Sequence, residues 1–291
     1  MTAVVTNTTR PATGRFAMIV RRLVASPSGA VGIGLTVAVV VLVVLSLVHI
    51  FGDPLAQDSA QSLQGPSLAH PFGTDRFGRD LLARCAAGLA NSLLVSLVAV
   101  AFGTIIGTAG GLVAGFFRKA PDRIIGAITN ILFAFPPLVL ALALASAFQR
   151  TWFTIAVAIG VVYVPIFVRV TRGPVLSLRE ADFVRAATGV GMTRTRVLFG
   201  HVLPNITSIV IVQVTLSLSW AVLTEASLSF LGLGTPPPAP SLGSMVFEAS
   251  TLVYIAPWTM IAPGAVLVVF VVGLNLLGDG LRDALDPKNR G

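Results

Sequence analysis

Charge is scarce in this sequence. Of its 291 residues only 11% are Asp, Glu, Lys or Arg, while 55% are hydrophobic and the mean hydropathy is +0.88. Soluble domains carry about 25% charged residues. So few charges cannot solvate a water-soluble globule of this length, but they suffice if most of the surface faces lipid. Cysteine occurs once, as Cys85, which excludes an intrachain disulfide and any multi-cysteine metal site. Lysine occurs twice. Lys119 stands in Arg-Lys-Ala and Lys288 in Pro-Lys-Asn. Neither belongs to the Gly-Lys-Ser/Thr of a phosphate-binding loop, so the chain is not expected to hydrolyse ATP by that route. His-Glu-x-x-His is absent, and no pair of carboxylates falls inside an apolar segment. An intramembrane Ser-His dyad would have to use His49 or His201. Neither a metal nor a cofactor bound by this chain is expected.

What is present is a series of long apolar runs. A bilayer core of about 30 Å needs about 20 apolar residues in a helix. Six segments qualify, at 29–51, 86–116, 124–148, 152–171, 205–231 and 255–278. The first is too long for a signal-peptide core and no Ala-x-Ala site follows it, so it reads as an uncleaved span. The expected organisation is a segment 1–28, a first transmembrane helix 29–51 and an outer loop 52–85. A five-helix core 86–278 containing a loop 172–204 follows, and then a tail 279–291. The fold class is all-α, a polytopic membrane protein with six transmembrane helices.

The net charge of +8 comes from basic residues that punctuate the apolar runs. Nucleic-acid binding needs a clustered basic face, so none is expected. With both termini in the cytoplasm, sixteen of the twenty Lys and Arg residues fall on that side, Arg10, Lys288 and Arg290 among them. Only Arg76, Arg79, Arg84 and Arg150 fall outside. This bias is the positive-inside signature.

Ionisable groups inside a bilayer are costly and usually functional, and here Glu225 alone sits clearly within a span. It is either a carboxylate bonded to nearby backbone or hydroxyls, or a gating or substrate contact. His49 closes the first span near the interface. A proton-coupled carrier would need a relay of acids or histidines, which is missing. Gly103, Gly107, Gly111 and Gly115 recur every four residues. They form one stripe on a helix where another backbone can approach closely, serving static packing or a sliding surface. Pro136, Pro137, Pro165 and Pro263 interrupt spans and should bend them. Asp75, Arg76, Arg79 and Asp80 can form local ion pairs that pin the outer loop, with Asp80 capping a helix.

The loop 172–204 predicts an amphipathic helix entered at Pro174, with Phe183, Ala186, Ala187 and Val190 on its apolar face. Gly189 and Gly191 should break that helix. Thr193 should cap a second one ending near Gly200, and Pro204 should restart the chain into the fifth span. The apolar face needs a partner: the membrane surface, the protein's own spans, or another subunit.

The spacing in this loop resembles the EAA coupling loop of ABC-importer permeases. That pattern is an acid, Ala-Ala, three residues, Gly, nine residues, Ile, one residue, Leu-Pro. Ala186, Ala187, Gly191, Leu203 and Pro204 match in register, whereas Arg185 replaces the acid and His201 the Ile. HPFGTDRFGRDLLAR (His70 to Arg84) and LTEASLSFLGLGTPPPAPSLG (Leu223 to Gly243) are similar to segments of the peptide/nickel permease subfamily, with Leu242 in place of its usual Trp. The chain is thus identified as a member of that family, most like the C subunit of oligopeptide or dipeptide permeases.

The resemblance implies the type I ABC-importer permease fold in a bacterial inner (plasma) membrane. It implies a coupling site at Phe183, Arg185, Ala186, Ala187, Gly189, Gly191, His201, Leu203 and Pro204. It also implies a second permease subunit, one or two cytoplasmic ATPase subunits that bind ATP and Mg, and an extracytoplasmic substrate-binding protein. The cargo would be oligopeptides, or dipeptides, nickel complexes or glutathione. A stand-alone secondary transporter or channel is the reading from a different class, and it would work without ATP or partners.

Overall fold

The computed structural model describes residues 12–285, so Arg10, Lys288 and Arg290 and the outermost parts of the terminal segments lie outside the described residues. Within it the chain is helical, with a single isolated bridge between Thr74 and Asp80. Helix α1 (Ala12–Ala25) leads into α2 (Pro27–Leu47), whose start is fixed by Ser26: its hydroxyl accepts from the Gly29 N–H at 3.1 Å. A long irregular segment follows. Helix α3 (Leu81–Phe117) then begins under Asp80, whose Oδ1 accepts from Ala83 N–H at 2.8 Å, the cap its sequence predicted. The helix therefore starts ahead of the expected boundary at 86.

The third apolar segment departs from a simple span. It forms α4 (Lys119–Phe133) and α5 (Pro137–Ala147), two helices meeting at 94°. Pro136 and Pro137 offer no N–H to continue the ladder and exclude the preceding residues from helical geometry. Together α4 and α5 still return the chain across the bundle, because the helices on either side of them run parallel.

Those flanking helices are α3 and α6 (Trp152–Arg179). Gly103, Gly107, Gly111 and Gly115 face Tyr163, Phe167, Thr171 and Val175 in the same order along both helices. A Cβ at Gly107 would lie 2.5 Å from Phe167 Cβ and 2.6 Å from the Val164 carbonyl oxygen. Each glycine receives one side chain of α6, a keyed register. Helix α6 opens with a capping box between Thr151 and Thr154 and continues through both Pro165 and Pro174. Pro174, expected to open the loop helix, is instead interior to α6. Its missing N–H faces a helix already stabilised by tertiary contact, with Val175 buried beside it.

Two short helices come next, α7 (Asp182–Gly189) and α8 (Arg194–Val197), followed by a π turn (Leu198–Val202) that runs into α9 (Leu203–Phe230). The expected stop near Gly200 does not occur. Pro204 cannot donate to the preceding turn, and a wider turn absorbs the lost bond while the chain stays helical. Asn205 Nδ2 donates to the His201 carbonyl at 2.6 Å. Helix α10 (Leu242–Ala249), capped by Ser241 and Ser244, and α11 (Trp258–Leu285) complete the fold.

Three apolar clusters hold the bundle. One joins α3, α5, α6 and α9 around Phe167, Ile155 and Ile159. A second joins α2, α3, α9, α10 and α11 around Leu89, Leu242 and Phe270. Here Gly32 and Gly273 let α2 and α11 approach closely. The third seats the short helices on the end of the bundle. Large apolar side chains such as Val37, Ile105 and Ile261 remain exposed along the outside, as lipid-facing surface requires.

Candidate functional site

The helix pair α7–α8 sits at the basic end of the bundle. Val184 and Ala187 of α7, with Val197, Leu198 and Val202 after it, pack on Leu112 and Phe116 of α3 and Val175 of α6. The expected apolar face is thereby divided. Phe183, Ala186 and Val190 point outward, Phe183 being 45% and Val190 81% exposed, and of the four expected residues only Ala187 is buried. The sequence contains two apolar edges one residue apart, and the ends of α3 and α6 select the 184/187 edge. The other edge is left bare.

Between the two helices the chain reverses at Gly191, with φ +83°. L side chains rarely adopt this region. Gly191 N–H donates to the Thr188 carbonyl at 3.1 Å and Met192 N–H to the Ala187 carbonyl at 3.2 Å, closing the end of α7. Gly189 is the last residue of α7, and no atom lies within 4 Å of a Cβ placed there. Thr193 holds extended cap geometry, but its side chain makes no cap hydrogen bond. His201 is half-buried on the π turn, Leu203 packs on the third cluster, and Pro204 is exposed in the first turn of α9. Arg185 is exposed and its Nη2 donates to Glu180 at 2.8 Å. That hydrogen bond holds the Glu180 carboxyl below the usual carboxylate range and raises the Arg185 guanidinium.

Glu225 lies far from this pair. It is fully buried in α9, accepting from Ser92 Oγ of α3 at 2.7 Å and from Ser229 Oγ one turn on at 2.7 Å. Its surroundings match the hydroxyl-bonded carboxylate, and it bridges two helices. Substituting Glu225 by Ala leaves two buried hydroxyls without an acceptor, at about 1–3 kcal/mol each. A clear drop in the melting temperature of the detergent-solubilised protein is expected. Glu225→Gln keeps an acceptor and should melt close to wild type. Normal uptake by Glu225→Gln at normal expression would confine the residue to architecture.

At the same end of the bundle as Glu225, Asp75 accepts from Arg79 Nε at 2.6 Å, and Arg79 and Arg84 both approach Glu248 of α10, at 3.6 and 3.9 Å. Asp80 also meets His70 Nδ1 at 2.7 Å. Arg76 forms no ion pair among the described residues and lies 4.7 Å over the Phe77 ring. The local pairs were legible in the sequence. Glu248 was not, being remote along the chain. The described residues contain no group of three His, Cys, Asp or Glu side chains placed to hold a metal.

Helices of this length and apolarity, keyed by glycines and carrying a short amphipathic pair at one end, define a polytopic membrane-embedded helical bundle. The chain belongs to the family of binding-protein-dependent transport system inner membrane components, whose model matches residues 107–291. It is 42% identical over 258 residues to the dipeptide transport system permease protein of Alkalihalophilus pseudofirmus, covering 87% of this chain and 85% of that one. It is 40% identical over 225 residues to the glutathione transport system permease protein of Pectobacterium atrosepticum, covering 77% and 75%. Its fold matches the inward-facing MetNI methionine ABC transporter with a TM-score of 0.57 at 20% identity, over 68% of this chain and 95% of that one. The type I ABC-permease architecture expected from the sequence is therefore the one found, in a multi-pass inner-membrane protein.

Proposed function

We propose that this chain is one of two permease subunits of an ATP-driven importer for peptides, and that α7 and α8 form its contact with a cytoplasmic ATPase. The observation that carries the reading is the hinged pair itself. Its inner edge is sealed against α3 and α6, while Phe183, Ala186 and Val190 are presented outward around a glycine turn. A partner surface is the natural cover for a bare apolar edge on a charged end of a membrane bundle.

Both termini and α7–α8 lie in the cytoplasm in this reading, supported by the distribution of Lys and Arg. The chain supplies no phosphate-binding lysine, so ATP and Mg are held by the ATPase subunits, and this subunit hydrolyses nothing itself. A second permease encloses the pathway with it, and an extracytoplasmic binding protein delivers cargo. The family description names such binding-protein dependence. The named cargoes of the relatives, dipeptide and glutathione, are both short peptides, which supports peptides as the cargo class here.

The test is reconstitution. Vesicles holding both permeases, the ATPase and the binding protein should accumulate labelled peptide only when ATP is supplied on the ATPase side. Vesicles holding this chain alone should accumulate none. Transport by the lone chain at the rate of the full system would establish the stand-alone carrier instead.

A further inference from the structure

Behind the hinge a cavity of about 470 Å³ opens between α7, α8 and the ends of α3 and α6. Phe116, Phe117 and Val184 line it together with Arg179, Arg185 and Arg194. Glu180 is the one acid among the lining residues, and Arg185 already holds it. Arg179 Nη1 is buried with no hydrogen-bond partner among the described residues, and Arg194 forms no salt bridge there. Three guanidiniums and one carboxylate thus line the cavity beside apolar side chains, with Asp182 also acting on Arg185 from outside the lining. Guanidinium donors left short of acceptors next to apolar surface favour an incoming carboxylate, which a guanidinium can clasp bidentately.

We propose that this cavity receives an acidic side chain of the ATPase subunit. The proposal rests on the reading of α7–α8 as the ATPase contact and adds the sign of the charge that contact requires. A protein carboxylate is favoured over a free anion or a lipid headgroup because α7, which lines the cavity through Val184, Arg185, Thr188 and Gly189, also carries the exposed apolar Phe183 and Val190, which call for a protein surface. Arg185 occupies the position where the coupling pattern it resembles has an acid.

The experiment measures ATPase affinity for the permease pair in nanodiscs. For wild type, affinity should fall about tenfold as salt rises from about 50 to about 500 mM, as screening of a partly exposed charge contact predicts. The double variant R185E/R194E, both positions exposed, should bind about tenfold or more weakly at low salt. An acid-to-lysine exchange in the ATPase groove should restore it. Phe183→Ala serves as the control for the docking surface.

If R185E/R194E binds as wild type and salt has no effect while Phe183→Ala weakens binding, the acidic contact is overturned and the coupling reading stands. If neither R185E/R194E nor Phe183→Ala alters binding, both fall. Weakening by R185E/R194E that no acid-to-lysine exchange reverses also overturns the proposal, and relief of it by inorganic phosphate would identify a free anion as the occupant.

Discussion

Replacing Gly191 by proline is expected to leave the chain inserted in the membrane at normal levels and to stop ATP-driven uptake. Gly191 holds φ +83°, whereas proline is locked near about −65°. The substitution also removes the N–H that closes on the Thr188 carbonyl and disfavours the near-helical backbone of Val190 before it. Space is not the obstacle, since no atom lies within 4 Å of a Cβ placed at Gly191. The turn must rebuild, at a cost of about 3 kcal/mol or more, and α8 must leave its seat on Leu112, Phe116 and Val175. Insertion survives because the spans are apolar independently of this turn.

Gly191→Ala separates angle from volume. It fits the space but carries the left-handed penalty of about 1–2 kcal/mol, so uptake should fall only in part. Uptake in reconstituted vesicles, normalised to the amount of inserted chain, checks both variants. Unchanged uptake in Gly191→Pro would remove α7–α8 from the coupling path.

Gly107→Leu is expected to destroy the folded bundle itself. A Cβ there already meets Phe167 Cβ at 2.5 Å and the Val164 carbonyl oxygen at 2.6 Å, and a backbone oxygen inside α6 cannot swing aside. Overpacking of tight cores costs about 1–3 kcal/mol for a few methylenes and more where backbone must move. Leucine adds four carbons at the centre of the α3–α6 seam, so the two helices must separate along the whole glycine row. Expected is loss of monodisperse protein in detergent and a collapsed melting transition, with Gly107→Ala intermediate. Gly34→Ala meets nothing within 4 Å and should stay within about 0.5 kcal/mol of wild type. A stable, monodisperse Gly107→Leu protein would show that the seam is not keyed as described.

The glycine row, the Asp80 cap and the helix–turn–helix at Gly191 were all legible because each is local. A four-residue repeat defines a face, a short polar side chain before an apolar run defines a cap, and glycine permits a positive φ. The errors have one cause. Pro174 reads in sequence as a helix start although α6 runs through it, and Phe183, Ala186, Ala187 and Val190 read as one apolar face of which the structure buries Ala187 alone. In both cases local sequence left more than one solution open, and contacts with distant residues on α3 and α6 chose between them. Pro136 and Pro137 announced an interruption but not its 94° angle, which depends on what α4 and α5 pack against.

Which segments leave water was determined by sequence alone, because the transfer of about 20 apolar residues from water is a property of the segment that carries them. The absence of a nucleotide-binding lysine was equally plain there. Only the tertiary structure decided that Ser92 of α3 donates to Glu225 of α9, that Glu248 faces Arg79 and Arg84, and that three arginines surround one cavity. These pairings join residues far apart in the chain, and their energies exist only once helices from different segments are brought into register.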